Sequence, residues 1–176
     1  MDAQFEQLQN LIFSVIDRYS EESLLRSGAP GKWSAAEVVE HLSLTYTLTT
    51  KAFRRCLEAG QPLAGSPSFR QRMVIVAVLG LGYFPRGREA PAAVHPKGLG
   101  RKSLSQLKAS IRDMDEIIAL CEARYGKAVR IVDHPVLGPL TAGQWRKFHW
   151  VHTRHHAKLM LEEQSSAGCD CSARQS

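Results

Sequence analysis

The stretch FHWVHTRHHAKLM, residues 148–160, holds four of the seven histidines in a chain of 176 residues. Histidine both ligates metals and titrates near neutral pH, so this concentration points to metal binding or proton chemistry. On a helix, positions four apart share a face, with Cβ atoms roughly 6 Å apart. His152 and His156 therefore project side by side. The same wheel puts Trp145, His152, His156 and Leu159 on an apolar stripe. His149 and His155 flank that stripe, and Arg146, Arg154 and Lys158 turn away from it. Burying two imidazoles without partners leaves polar nitrogens unsatisfied, at about 1–3 kcal/mol per group. A shared metal ion would satisfy both.

A third ligand has to come from another helix, and His41 is the only histidine on the other amphipathic segments. Three neutral imidazoles with one position open suit Zn²⁺ first, while Ni²⁺, Fe²⁺, Mn²⁺ and Co²⁺ are compatible by ligand type. An incomplete shell of this kind is a catalytic rather than a structural arrangement. The competing reading is a hydrogen-bonded histidine network with no metal, in which His41 is an ordinary core residue. His149, His155 and His134 are expected to be structural or to orient ligands through their ring N–H groups. His95, beside Pro96, should face solvent. Trp33 and Trp145 read as packing anchors at helix starts, and Trp150 falls on the polar side of its helix. Glu37 and Glu40 flank His41, but Glu37 is engaged by a helix cap and Glu40 should turn from the inward stripe. No general base is assigned.

These side chains need helices to position them. Apolar residues recur at helical spacing in four segments. The first carries Phe5, Leu8, Ile12, Val15 and Tyr19. The second opens with a capping box, Ser34 with Glu37, and faces inward through Val38, His41, Leu42, Thr45, Leu48, Ala52 and Cys56. The third repeats the device with Ser103 and Gln106 and carries Leu107, Ile111, Met114, Ile118 and Cys121; the fourth repeats it with Thr141 and Gln144. Between the second and third lies an insertion, about residues 60–102, whose apolar run Met73–Phe84 is read as a helix weakened by Gly80 and Gly82. No strand-like alternation exceeds AVRIV at 128–132. The expectation is an all-α fold: a four-helix bundle with a long crossover insertion between helices 2 and 3. It forms one domain over residues 1–164, followed by a flexible tail at 165–176.

Composition narrows the classes. With 44% apolar residues the chain can bury a core. The Met73–Phe84 run is too short to span a bilayer, so a membrane is not an expected partner. The opening MDAQFEQLQNLIF is acidic where a secretory leader is basic, which makes the expected location cytoplasmic. Four cysteines, Cys56, Cys121, Cys169 and Cys171, form no CxxC pair and are read as reduced thiols. The net charge of +6 would attract phosphate. No recognition motif accompanies it, so nucleic acid is not the expected partner.

The pattern GKWSAAEVVEHL at 31–42, followed by HTRHH at 152–156, resembles the DinB-like superfamily. The resemblance spans roughly residues 5–164 and implies a four-helix bundle with a long connection after the second helix. It implies metal ligands at His41, His152 and His156. Relatives often carry a Gln three residues beyond the double histidine, where this chain has Leu159. By the same resemblance the activity would be a metal-dependent transfer of a low-molecular-weight thiol to an electrophilic substrate, ahead of metal-dependent hydrolysis. A bound divalent cation favours the anion of a thiol or water, so one site serves either reaction. The basic insertion would receive a carboxylate-bearing thiol, and its apolar run would form a lid or a homodimer surface. A non-enzymatic metal-binding or stress-associated protein is the alternative.

Overall fold

Three of the long helices begin where a side chain takes up a free backbone N–H. Asp2 accepts from Gln4 N at 2.9 Å and starts α1 (Ala3–Ile16). Ser34 and Glu37 form the expected reciprocal box at the start of α3 (Ala35–Ala59). Thr141 and Gln144 do the same for α6 (Ala142–Ser172), at 3.0 and 3.2 Å. The computed structural model describes residues 1–28, 31–82 and 90–172, with side chains described through residue 165. A short α2 (Glu21–Leu25), capped by Ser20, links α1 to α3.

The third long helix departs from expectation. α5 runs Gly100–Tyr125, so it begins three residues before the Ser103–Gln106 signal, and Ser103 is buried inside its first turn. Leu99 is its N-cap and offers no side-chain bond. The reason is tertiary. Glu40, from α3, accepts the backbone N–H groups of Lys97 and Leu99, both at 2.7 Å, and so does from a distance what a local cap would do.

α3 packs most extensively against α5, and α1 against α6. One apolar cluster joins them through Phe5, Leu8 and Ile12, through Tyr46 and Phe53, through Ile111 and Met114, and through Trp145 and Phe148. Each such side chain contributes about 2 kcal/mol on burial. The phase of α3 is rotated from the expected face: Leu48 is exposed, whereas Tyr46 and Phe53 are sealed in the core. Arg146 is also buried, contrary to its place on the wheel, because it pairs with Glu122 at 2.8 Å and Asp2 at 3.6 Å.

The fold is predominantly helical, but not purely so. β1 (Arg130–His134) and β2 (Gly138–Thr141) form an antiparallel hairpin, with Val132 opposite Leu140 and His134 opposite Gly138. His134 Nδ1 accepts the N–H groups of Val136 and Leu137 at 3.1 Å and fixes the hairpin turn. The Trp145 indole donates to the Val132 carbonyl at 3.2 Å, which sets the start of α6 on this hairpin.

Within the insertion, α4 (Phe69–Ile75) is capped by Ser68 and Gln71, and a π-helical turn follows at Val76–Gly80. Val78 and Leu79 enter the core, and the π turn packs on α6. Phe69 and Leu81 are each 80% exposed, and Met73 and Val76 are exposed beside them. The end of the apolar run, Tyr83 and Phe84, lies outside the described residues. α6 is helical through Ser172, well into the segment expected as a tail; Cys169 and Cys171 lie outside the described side chains. Among the described residues no helix is long and apolar enough to cross a membrane.

Candidate metal centre

Two helices bring the site together. α6 supplies His152 and His156 one turn apart, as their spacing requires, and α3 supplies His41 from the opposite side. His41 Nε2 stands 3.2 Å from His152 Nε2, and His156 Nε2 stands 3.1 Å from the same atom. One ligand atom from each of the three histidines lies within 4.8 Å of the others, so the set could hold a metal ion. A cation about 2.1 Å from each nitrogen, with angles of about 90–109°, places ligand atoms about 3.0–3.4 Å apart. The two separations from His152 fall in that range; the third pair lies within 4.8 Å, against a span of about 4.2 Å for two ligands of one ion, so a small inward shift of one ring completes the set.

Proton arithmetic separates this arrangement from a plain hydrogen-bonded network. His41 Nδ1 faces the Val94 carbonyl at 2.9 Å, and a carbonyl only accepts. Nδ1 therefore carries the proton, and the Nε2 of neutral His41 presents a lone pair inward. Burial pushes the pKa of all three rings down: His41 is lowered, His152 is well below its ordinary value, and His156 falls to about 3. Mutual repulsion among the rings adds to the last two. The rings are thus neutral at physiological pH. An uncharged ring nitrogen has one proton or one lone pair, so His152 Nε2 cannot bond linearly to both neighbours. A cation bonded to all three nitrogens removes the conflict, and the donor set fits one.

Aromatic walls fix the rings. Trp33 lies over His41 with centroids 5.1 Å apart, the exposed His95 meets Trp33 edge-on at 5.2 Å, and Phe148 stacks on His152 at 5.3 Å and 12°. From the insertion, the Val94 carbonyl reaches the His41 ring.

The remaining expected residues separate by role. His155 is half-buried with its ring edge-on to His156, 5.3 Å away, and so borders the site. His149 does not join the three. It is fully buried among Phe5, Tyr46, Trp145 and Phe148, and among the described residues neither of its nitrogens has a hydrogen-bond partner. Trp145 serves the hairpin and core. Glu37 is committed to its cap, where its carboxylate accepts from Ser34 N at 2.7 Å. Glu40, expected to turn outward, is 1% exposed and bound to the end of the insertion. It and the Val94 carbonyl are the parts of the site that sequence reasoning missed, since no local spacing links residue 40 to residues 94–99. Cys56 and Cys121 are free and buried, and burial raises both thiol pKa values, to about 11 for Cys121. Neither is a thiolate at neutral pH.

No curated protein and no solved structure matches the chain. A family model does match, over residues 1–163, and its description is protein of unknown function (DUF1569). By that match the chain belongs to the DUF1569 family.

Proposed function

We propose that this chain is a metal-dependent protein of the DinB-like type, in which α1, α3, α5 and α6 form the four-helix bundle. His41, His152 and His156 are the ligands, and the reaction is transfer of a low-molecular-weight thiol to an electrophile. The observation that carries this reading is the convergence of three neutral imidazoles on one point, with the outer nitrogen of His41 already engaged by Val94. When bound there, Zn²⁺ or a similar divalent ion would stabilise the anion of a thiol or of water near neutral pH.

The chain's own residues favour the thiol. A free thiol is the stronger acid by about seven pKa units, so it needs the smaller shift to ionise, whereas attack by water gains from a neighbouring general base. The two carboxylates beside His41 in sequence are both bound to backbone N–H groups, Glu37 at Ser34 and Glu40 at Lys97 and Leu99. A thiol needs far less help to lose its proton. The indole of Trp33 and the ring of Phe148 supply apolar walls beside His41 and His152.

The test combines elemental analysis with a conjugation assay. Purified protein is expected to hold about one divalent metal per chain and to accelerate displacement of halide from an activated aryl halide by a carboxylate-bearing thiol, with release of halide and the thiol proton. His152→Ala should lose both. Ester hydrolysis without thiol transfer would replace the transferase by the hydrolase. Metal without either activity would leave a binding protein, and a metal-free protein indifferent to chelator would leave a structural histidine network.

A further inference from the structure

We propose that Glu40 is a positioning residue of the metal centre, acting through a clip that holds residues 94–99 against α3. This inference rests on the metal-site reading above. Two consecutive residues of α3 grip the same short stretch of the insertion at its two ends. The His41 ring N–H donates to the Val94 carbonyl at 2.9 Å, while the Glu40 carboxylate takes Lys97 N–H on one oxygen and Leu99 N–H on the other, each at 2.7 Å. Glu40 is 1% exposed, and a carboxylate is rarely buried so completely unless its bonds hold something in place.

What the clip holds is the acceptor that decides the His41 tautomer. With the Val94 carbonyl fixed, the proton stays on Nδ1 and the Nε2 lone pair faces His152. Gly98, at φ +81°, lets the backbone turn between the two bonded N–H groups, and the Val94 side chain is buried at the other end of the stretch. Without the carboxylate, residues 94–99 lose two charge-assisted hydrogen bonds, and the carbonyl, then anchored by the buried Val94 side chain alone, is held less firmly at bonding distance. His41 then populates the tautomer that carries its proton on Nε2, which cannot ligate. Groups that orient a ligating histidine typically contribute 10–100-fold to metal affinity.

The experiment uses the full chain and zinc alone, competed against a chromogenic chelator, together with ¹⁵N imidazole spectra of the metal-free protein. The wild type should bind one zinc with His41 protonated on Nδ1. Glu40→Ala should keep the stoichiometry, bind about 10–100-fold more weakly, and show His41 as a mixture of tautomers. Glu40→Gln retains one acceptor and should fall between; it carries the test if the alanine variant does not fold. Ser34→Ala weakens the cap of the same helix and should leave both affinity and tautomer unchanged, which separates positioning from general destabilisation. Wild-type affinity together with an unshifted His41 tautomer in both Glu40 variants would overturn the clip while leaving the metal centre intact. A wild type that binds no zinc would overturn the metal centre, and the imidazole spectra would then decide the clip by themselves.

Discussion

The His149 ring stacks on the Trp145 indole, with centroids 5.7 Å apart and planes 26° apart, in a position sealed from solvent. Its ring nitrogens have no hydrogen-bond partner among the described residues. Leaving such groups unsatisfied costs about 1–3 kcal/mol, and the aromatic contacts return about 1 kcal/mol of that. His149→Leu should therefore stabilise the protein at pH 7.5 by about 1 kcal/mol in urea unfolding. Destabilisation of that size would mean that the nitrogens are satisfied by an internal water.

Acid should unfold the protein through its buried histidines. Burial lowers His134 to about 4 and His149 to about 3, against an ordinary value of 6.5. Because the folded pKa lies below the unfolded one, the unfolded chain binds protons first as pH drops. Stability is complete above about pH 6.5 and declines as pH falls toward 4 for His134 and toward 3 for His149. Each group contributes a limiting slope of about 1.4 kcal/mol per pH unit. Between pH 6.5 and 5, chelator-treated His149→Leu should lose about 2 kcal/mol less than chelator-treated wild type. Parallel pH profiles for the two proteins would show that His149 takes up its proton in the folded state.

How far the sequence could be read depended on the distance to the partner. Ser34 with Glu37 and Thr141 with Gln144 are local devices, and both caps form as their spacing implies. The pair His152 and His156 is fixed by helical pitch alone. Glu40 and Arg146 were misread for a common reason. A helical wheel places a charged residue outside by default, whereas each of these is buried by partners remote along the chain: Leu99, 59 positions away, and Glu122, 24 positions away. The hairpin was hidden similarly, since its turn depends on His134 accepting two backbone N–H groups. That role cannot be told from composition.

Arg146 ties three helices together, holding Glu122 of α5 at 2.8 Å and Asp2, the cap of α1, at 3.6 Å. Removing one partner of a buried ion pair costs about 3–5 kcal/mol because the opposite charge is stranded. Asp2 and Glu122 keep some solvent contact, so Arg146→Met should destabilise by about 3 kcal/mol, at the lower end of that range. Arg146→Lys keeps the charge but not the planar fork and should recover part of the loss. Thermal and urea unfolding measure both. An Arg146→Met protein as stable as wild type would show the pair to be replaceable by apolar packing.

At Gly100 the start of α5 lies close against α3. A Cβ added there would sit 2.7 Å from Ala36 Cβ and 2.9 Å from the Ala36 carbonyl oxygen. Neither atom can swing aside as the end of a flexible side chain would, so the two helices must part. Overpacking of this kind costs about 1–3 kcal/mol, against which alanine gains about 1 kcal/mol over glycine in a helix. Gly100→Ala should therefore be net destabilising by about 1 kcal/mol. Pairing it with Ala36→Gly should restore only part of the loss, since the carbonyl remains in the way. Ala36 lies one turn before Glu40 on α3, and Gly100 follows Leu99, whose N–H Glu40 holds. Parting the helices at Gly100 should thus also loosen that bond. Hydrogen exchange at the Leu99 amide should accelerate in Gly100→Ala beyond what the loss of global stability explains. Unchanged exchange alongside lower stability would show the strain to be absorbed within α5 itself.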